Sequence, residues 1–171
     1  VYHNYGTYYA GQNTADYGGI PVRKFDDPKA PFATSGSYPR VSTRDFIVSR
    51  LSDTYLIAAE AYFKSGDNTT ALARLNAVRT RSSATAATTL TIDYILDERA
   101  REMLGEYNRW FDLKRTGKLV ERASLYHYKI KANGGAASFA GKNGVLKILR
   151  PIPQEAIDLN QNKNFPQNPA Y

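Results

Sequence analysis

The chain has 171 residues, 42% hydrophobic and 23% charged, with a formal net charge of +7, and can bury a sizeable core as one domain or most of one. No apolar run approaches the roughly 18 residues of a membrane span, and no basic stretch leading into a short apolar one marks a signal peptide. Cysteine is absent, which excludes disulfides, thiolate metal sites, cysteine nucleophiles and a lipid-bearing cysteine within the chain, so any lipid anchor is expected upstream of Val1.

The excess of Lys and Arg invites a nucleic-acid reading, but binding phosphate needs basic residues gathered on one face. Here they are scattered and often stand within a turn of a carboxylate, as in Asp97/Arg101 and Glu106/Arg109. Solvated helix faces explain that spacing, and no nucleic-acid partner is expected.

Residues 1–45 are dense in Tyr, Gly, Pro and Asp without a period of 3.6 or 2, and read as an irregular segment. So long a structureless stretch is uncommon in a compact domain, so it is expected to pack on a missing N-terminal region of a longer protein. Residues 46–171 read as a helical domain. From Leu51, the residues Tyr55, Ala58, Ala59 and Tyr62 recur at helical spacing until Ser65-Gly66-Asp67 stops them. Asp67 or Asn68 caps a second helix with an Ala71, Leu75, Val78 stripe flanked by Leu72. The pair, spanning 51–81, falls in the register of a tetratricopeptide hairpin, with small Ala59 and Ala71 where two helices approach closely. The alternative is an ordinary helical hairpin, because the Trp, Leu, Gly and Phe of that repeat are replaced and Ser83 stands where Pro would.

A Ser/Thr/Ala linker, 82–91, leads to Thr91 as cap of a helix over Ile92 to Leu104, which Gly105 interrupts. Another helix is expected from about Tyr107 to Thr116, ending at Gly117 with Lys114 and Arg115 at its negative end. Short strand-like runs, Tyr126 to Ile130 and Val145 to Leu149, flank a Gly-rich loop and suggest a small β-hairpin. Pro151 and Pro153 open one helical turn around Glu155 to Leu159, followed by an Asn/Pro-rich coil.

Charge and aromatics concentrate between Glu98 and Lys118. Glu98 and Glu102 share a helical face, as paired catalytic carboxylates or metal ligands would. No His at i+3 or i+4 completes a di-metal motif, and Arg99, Arg101 and Arg109 are near enough to neutralise the acids, so a structural ion-pair network is the stronger reading. Glu60 is expected to pair with Arg79 or Arg81 across the hairpin, and Trp110 and Phe111 to anchor the core rather than form a ligand platform. His3 and His127 have no Ser or Asp arrangement suggesting a triad. Gly141-Lys142 is no phosphate loop, since Ala136 takes the first-Gly position and Asn143 follows the Lys. The expectation is no catalytic residue, no metal and no cofactor.

The stretch ERAREMLGEYNRWFDLKRTGKL, residues 98–119, is similar to the signature of the SusD/RagB family. Three further segments agree in order: Gly19 to Pro28, the helix pair from Arg50 to Arg81, and Leu149 to Gln154 with Gln167 to Tyr171. The resemblance covers about residues 18–171. Gly105 and Tyr107 depart from the usual residues, and Ala170 stands where the family favours Gly. The signature positions carried over are Glu60, Arg79, Glu98, Arg99, Glu102, Arg109, Trp110, Asp112 and Arg115.

This resemblance implies a mainly α protein with tetratricopeptide-like repeats, held by an N-terminal lipid on the outer face of the outer membrane of Bacteroidetes. It implies a non-catalytic subunit that binds glycans or other nutrients and closes over a SusC-like TonB-dependent transporter. A tetratricopeptide-type protein-interaction scaffold is the rival reading. Sugar CH faces pack on aromatic rings and sugar hydroxyls pair with polar side chains, so Tyr2, Tyr5, Tyr8, Tyr9, Asn13, Asp16 and Tyr17 are the candidate ligand-binding residues. The same tyrosines could instead pack against the missing N-terminal part.

Overall fold

A computed structural model describes Lys24, Asp45 and residues 47–106, 108–162 and 164–171. Helix α1, Leu51–Ser65, carries Asp53 in its first turn and Lys64 in its last, each matching the local end of the helix dipole. It stops at Gly66, whose φ of 90° the glycine adopts without the Cβ clash of an L side chain. The Gly66 N–H donates to the Phe63 carbonyl and the Asp67 N–H to that of Tyr62, which satisfies the last carbonyls. Asp67 then caps α2, Asn68–Arg81, accepting the Thr70 N–H at 2.9 Å.

The hairpin buries Leu56 and Ala59 of α1 against Leu75 and Val78 of α2, with Ala87 and Ile95 completing this first core. Ala59 and Ala71 are fully buried, as close helix approach requires. The inward stripe of α1 differs from the one its spacing suggested: Leu51 and Tyr62 face outward, and Leu56 is the anchor. Several rows along α1 have helical spacing, and the row that is buried is the one α2 and α3 cover.

The linker after α2 is pinned rather than free. The Asn76 side-chain amide donates to the Ala87 carbonyl at 2.9 Å and its Oδ1 accepts the Ala87 N–H at 2.8 Å, which holds Ala87 in the core. Helix α3, Ile92–Glu102, starts where Thr91 Oγ1 accepts the Tyr94 N–H. It is shared by two cores: Ile95 enters the first and Leu96 the second, where it meets Leu113, Leu119, Ala123 and Phe139.

Gly105, at φ 81°, breaks the helical run. Helix α4, Arg109–Arg115, is shorter than expected and closes at Gly117, with the Lys118 N–H donating to the Leu113 carbonyl at 2.8 Å. Helix α5, Leu119–Tyr126, follows, and then α6, Tyr128–Ala132. The expected strand over Tyr126 to Ile130 is therefore helical. Its residues suit a strand on propensity, but Ile130 packs against the second core from a helical turn capped by His127, and packing overrides propensity.

Among the described residues there is no hairpin of two strands, only one antiparallel bridge between Ala140 and Leu146. Beside it Gly141 lies so close to the chain end that a Cβ there would sit 2.3 Å from the Val145 carbonyl oxygen and 2.8 Å from Ala170. Helix α7, Gln154–Asp158, opens on Pro153 as expected. The Gln167 side chain clamps both backbone groups of Ile152, and Asn168 donates to the Arg150 carbonyl, so Leu149 to Ile152 is tied to the C-terminal coil. Residues 48–171 form one compact unit.

Candidate functional site

The charged block does not gather into a reactive centre; it forms a lattice of ion pairs joining α1, α2, α3 and α4. Buried Arg99, on α3, donates through Nε to Asp112 of α4 at 2.7 Å and places Nη2 2.8 Å from Asp53 of α1. Arg115 of α4 spans Asp112 at 2.8 Å and both carboxylate oxygens of Glu60 at 2.5 and 2.6 Å. Lys64 completes the set with a 2.7 Å bond to Glu60. Glu60 thus reaches forward to α4; the expected pairing with Arg79 or Arg81 does not occur, because it lies on the α1 face turned toward α4.

Arg79 instead bonds Glu98 at 2.6 Å, which also accepts from Arg101 one turn along. Arg81 and Arg50 both hold Glu102, and Arg50 also donates to Glu106 at 3.0 Å. Two local pairings read from the sequence are replaced. Arg101 pairs with Glu98, while Asp97 is taken by Arg122 of α5 at 3.0 Å. Arg109 donates to the Leu96 carbonyl at 2.6 Å, so it ties α4 to α3 through the backbone.

Glu60 and Glu102 are poor acid–base catalysts at neutral pH. Burial acts most strongly on Glu60 and raises its pKa, yet hydrogen bonds from Arg115 and Lys64 outweigh it and bring the carboxyl down to about 2. At Glu102 burial likewise pushes up, and Arg50 overcomes it, leaving the group below the usual carboxylate range. The Glu60 bond in turn holds the Arg115 guanidinium above its ordinary value, against the effect of burial. A general acid at neutral pH needs the opposite shift. Among the described residues, no three His, Cys, Asp or Glu side chains come together as a metal group.

A cleft of about 400 Å³ opens beside the lattice, lined by Ile57, Glu60, Ala61, Lys64, Arg99, Asp112 and Arg115. Trp110 and Phe111, expected as core anchors, are 40% and 69% exposed. Helix α4 has only two turns, and Asp112 and Leu113 take its inward side. Tyr126 and Tyr128 are also exposed, with the Arg122 guanidinium 5.6 Å from the Tyr126 ring centre and the Lys129 amine 5.7 Å from that of Tyr128. Tyr2, Tyr5, Tyr8, Tyr9, Asn13, Asp16 and Tyr17, like the Gly19 to Pro28 segment apart from Lys24, lie outside the described residues.

Sequence reasoning missed Arg50 and Asp53 as lattice members. Asp53 had a readable signal: Asp53, Ile57, Glu60 and Lys64 stand four, three and four residues apart, on one helical face. Arg50 had none, since its partners lie 52 and 56 residues away.

A family model described as the SusD family matches residues 1–171. The chain belongs to the SusD family. It is 35% identical over 128 residues to the starch-binding protein SusD of Bacteroides thetaiotaomicron, a match covering 74% of this chain and 22% of that protein. It is 33% identical over 96 residues to SusD-like protein P38 of Formosa agariphila, covering 48% of this chain and 19% of that protein. The chain therefore spans about a fifth of the length of these curated SusD relatives. No solved structure gives a significant match. The mainly helical architecture fits the fold expected of a SusD-family chain.

Proposed function

We propose that this chain is the C-terminal part of a non-catalytic glycan-binding subunit that delivers oligosaccharide to a SusC-like TonB-dependent transporter. The observation that carries the reading is family membership together with a relative named as starch-binding. The lattice supports it: every signature carboxylate is held by one or more cations, in a state suited to bracing helices rather than to bond cleavage.

In the whole protein, residues 46–171 supply the helical domain and residues 1–45 pack on the remaining polypeptide. The anchor is a lipidated N-terminal cysteine outside this chain, on the extracellular face of the outer membrane. Tyr2, Tyr5, Tyr8, Tyr9, Asn13, Asp16 and Tyr17 form the sugar platform. The test is a glycan array with the full-length protein, together with product analysis of each bound oligosaccharide. Binding without turnover, lost when the five tyrosines become Ala, is expected. Cleavage of any bound glycan, or no binding across the array, overturns the proposal.

A further inference from the structure

The pairing of cations with carboxylates that builds the lattice ends at Arg122. Residues 122–154 hold six of the chain's 23 basic residues, Arg122, Lys129, Lys131, Lys142, Lys147 and Arg150, and none of its 16 acidic ones, so they carry six of its seven net charges. The five after Arg122 are exposed, and among the described residues no ion pair holds Lys131, Lys142, Lys147 or Arg150. The stretch is tied together by its own packing. Ala123 and Phe139 share the second core, Ile130 packs against it, and the Lys147 N–H donates to the Phe139 carbonyl at 2.8 Å. A surplus of one sign concentrated on one part of a surface draws ligands of the other sign.

Within this stretch stand three consecutive exposed rings, Tyr126, His127 and Tyr128, at the break between α5 and α6. None of them enters either core. Tyr126 lies over the Arg122 guanidinium, which is itself held by Asp93 and Asp97 at 3.1 and 3.0 Å, yet Tyr126 is 70% exposed, so much of its ring still meets water. His127 Nδ1 accepts the Ile130 N–H that opens α6, which fixes the imidazole. Its ring lies within 8° of parallel to that of Tyr128, with the two centres 6.0 Å apart, and the Lys129 amine stands 5.7 Å from the Tyr128 ring centre. Rings held by such contacts lose little freedom when a ligand docks on them.

An exposed ring offers a face to the CH side of a sugar, and ammonium groups beside it pair with a carboxylate or a sulfate. An acidic peptide would use the charge and leave the rings idle. We propose that the α5–α6 break is a second glycan contact, selective for oligosaccharides that carry carboxylate or sulfate groups. Tyr126, His127 and Tyr128 take the sugar rings, and Lys129 and Lys131 take the anionic substituents. The inference rests on the proposed glycan binding and adds to it the charge class of the ligand.

The test is calorimetric titration of the full-length protein with tetragalacturonate and its fully methyl-esterified form, and with a sulfated and an unsulfated dextran oligosaccharide. At least one anionic form should bind about tenfold more tightly than its neutral counterpart. Its affinity should weaken as salt rises from about 20 to about 200 mM. A Lys129→Gln, Lys131→Gln double variant should bind it about threefold to tenfold more weakly, and Tyr126→Ala about fivefold, while both keep the parent Tm and the parent affinity for any neutral glycan. Anionic and neutral forms bound alike, or both variants matching the parent, overturn the proposal. Polyglutamate or a single-stranded DNA oligonucleotide that competes as well as the anionic sugar marks a general polyanion surface and overturns it too. Neutral glycans bound and both anionic probes refused overturn this inference alone, whereas no glycan of any kind bound overturns the proposed function with it.

Discussion

Replacing Glu60 by Gln keeps the shape of a buried side chain while removing the charge that Arg115 and Lys64 share. Breaking a fully buried ion pair costs about 3–5 kcal/mol, but the Arg115 and Lys64 side chains are 43% and 56% exposed, so water recovers part of that and about 1–3 kcal/mol is expected. The carboxyl pKa gives a second route to the magnitude. It falls from 4.5 to about 2 on folding, because the bonds from Arg115 and Lys64 outweigh the opposing effect of burial. At about 1.4 kcal/mol per unit, this shift is worth about 3 kcal/mol at face value and on the order of 1–2 kcal/mol after screening. A group whose folded pKa is depressed contributes its full stability above the unfolded pKa and loses it as pH falls through the folded one. The contribution is therefore complete above pH 4.5 and disappears toward pH 2. Urea unfolding of both proteins at a series of pH values between 7 and 3 measures it. The gap should be about 1–3 kcal/mol at neutral pH and shrink by more than half at the acid end, where protonated Glu60 resembles Gln. A gap below about 0.5 kcal/mol at pH 7, or one that does not narrow with acid, refutes the reasoning.

Asn76→Ala leaves both backbone groups of Ala87 without their partners; about 1–3 kcal/mol should be lost, and amide exchange at Ala87 should accelerate before that of α2. Leu75→Ala, at a fully buried site, should cost about 2–5 kcal/mol in denaturant unfolding. Gly141→Ala forces a Cβ into the Val145 carbonyl and Ala170; about 1–3 kcal/mol of strain should appear as a lowered Tm, with exchange rising first around Lys142. Asp67→Ala removes the α2 cap and should cost about 1 kcal/mol.

Helix ends were readable because their signals are local. Asp67 and Thr91 cap within three residues of themselves, and Gly66 and Gly117 mark the stops. Partner choice in the lattice was not, since Arg115 reaches Glu60 across 55 residues while spacing rules see only one turn. Trp110 and Phe111 illustrate a similar limit: hydrophobicity argues for burial, yet which side of α4 turns inward depends on where α3 lies. The run Tyr126 to Ile130 misled because β-propensity describes a half-buried pleated surface, and here a helical turn buries Ile130 instead. The pairing of Leu149 to Ile152 with Gln167 to Tyr171 was visible only as two segments of one resemblance. The structure joins them through the Gln167 and Asn168 side chains.

On the proposed function, the block from Glu98 to Lys118, with its partners on α1 and α2, holds the fold together while glycan is bound elsewhere and left intact. Calorimetric titration of the full-length protein with an oligosaccharide that the glycan array shows it to bind, run beside its Glu60→Gln variant at a temperature where both are folded, tests this most directly. The account predicts equal affinities within about twofold, no cleavage products, and a lower unfolding free energy for the variant alone. A folded Glu60→Gln protein that has lost its sugar affinity, or cleavage by either protein, would contradict it.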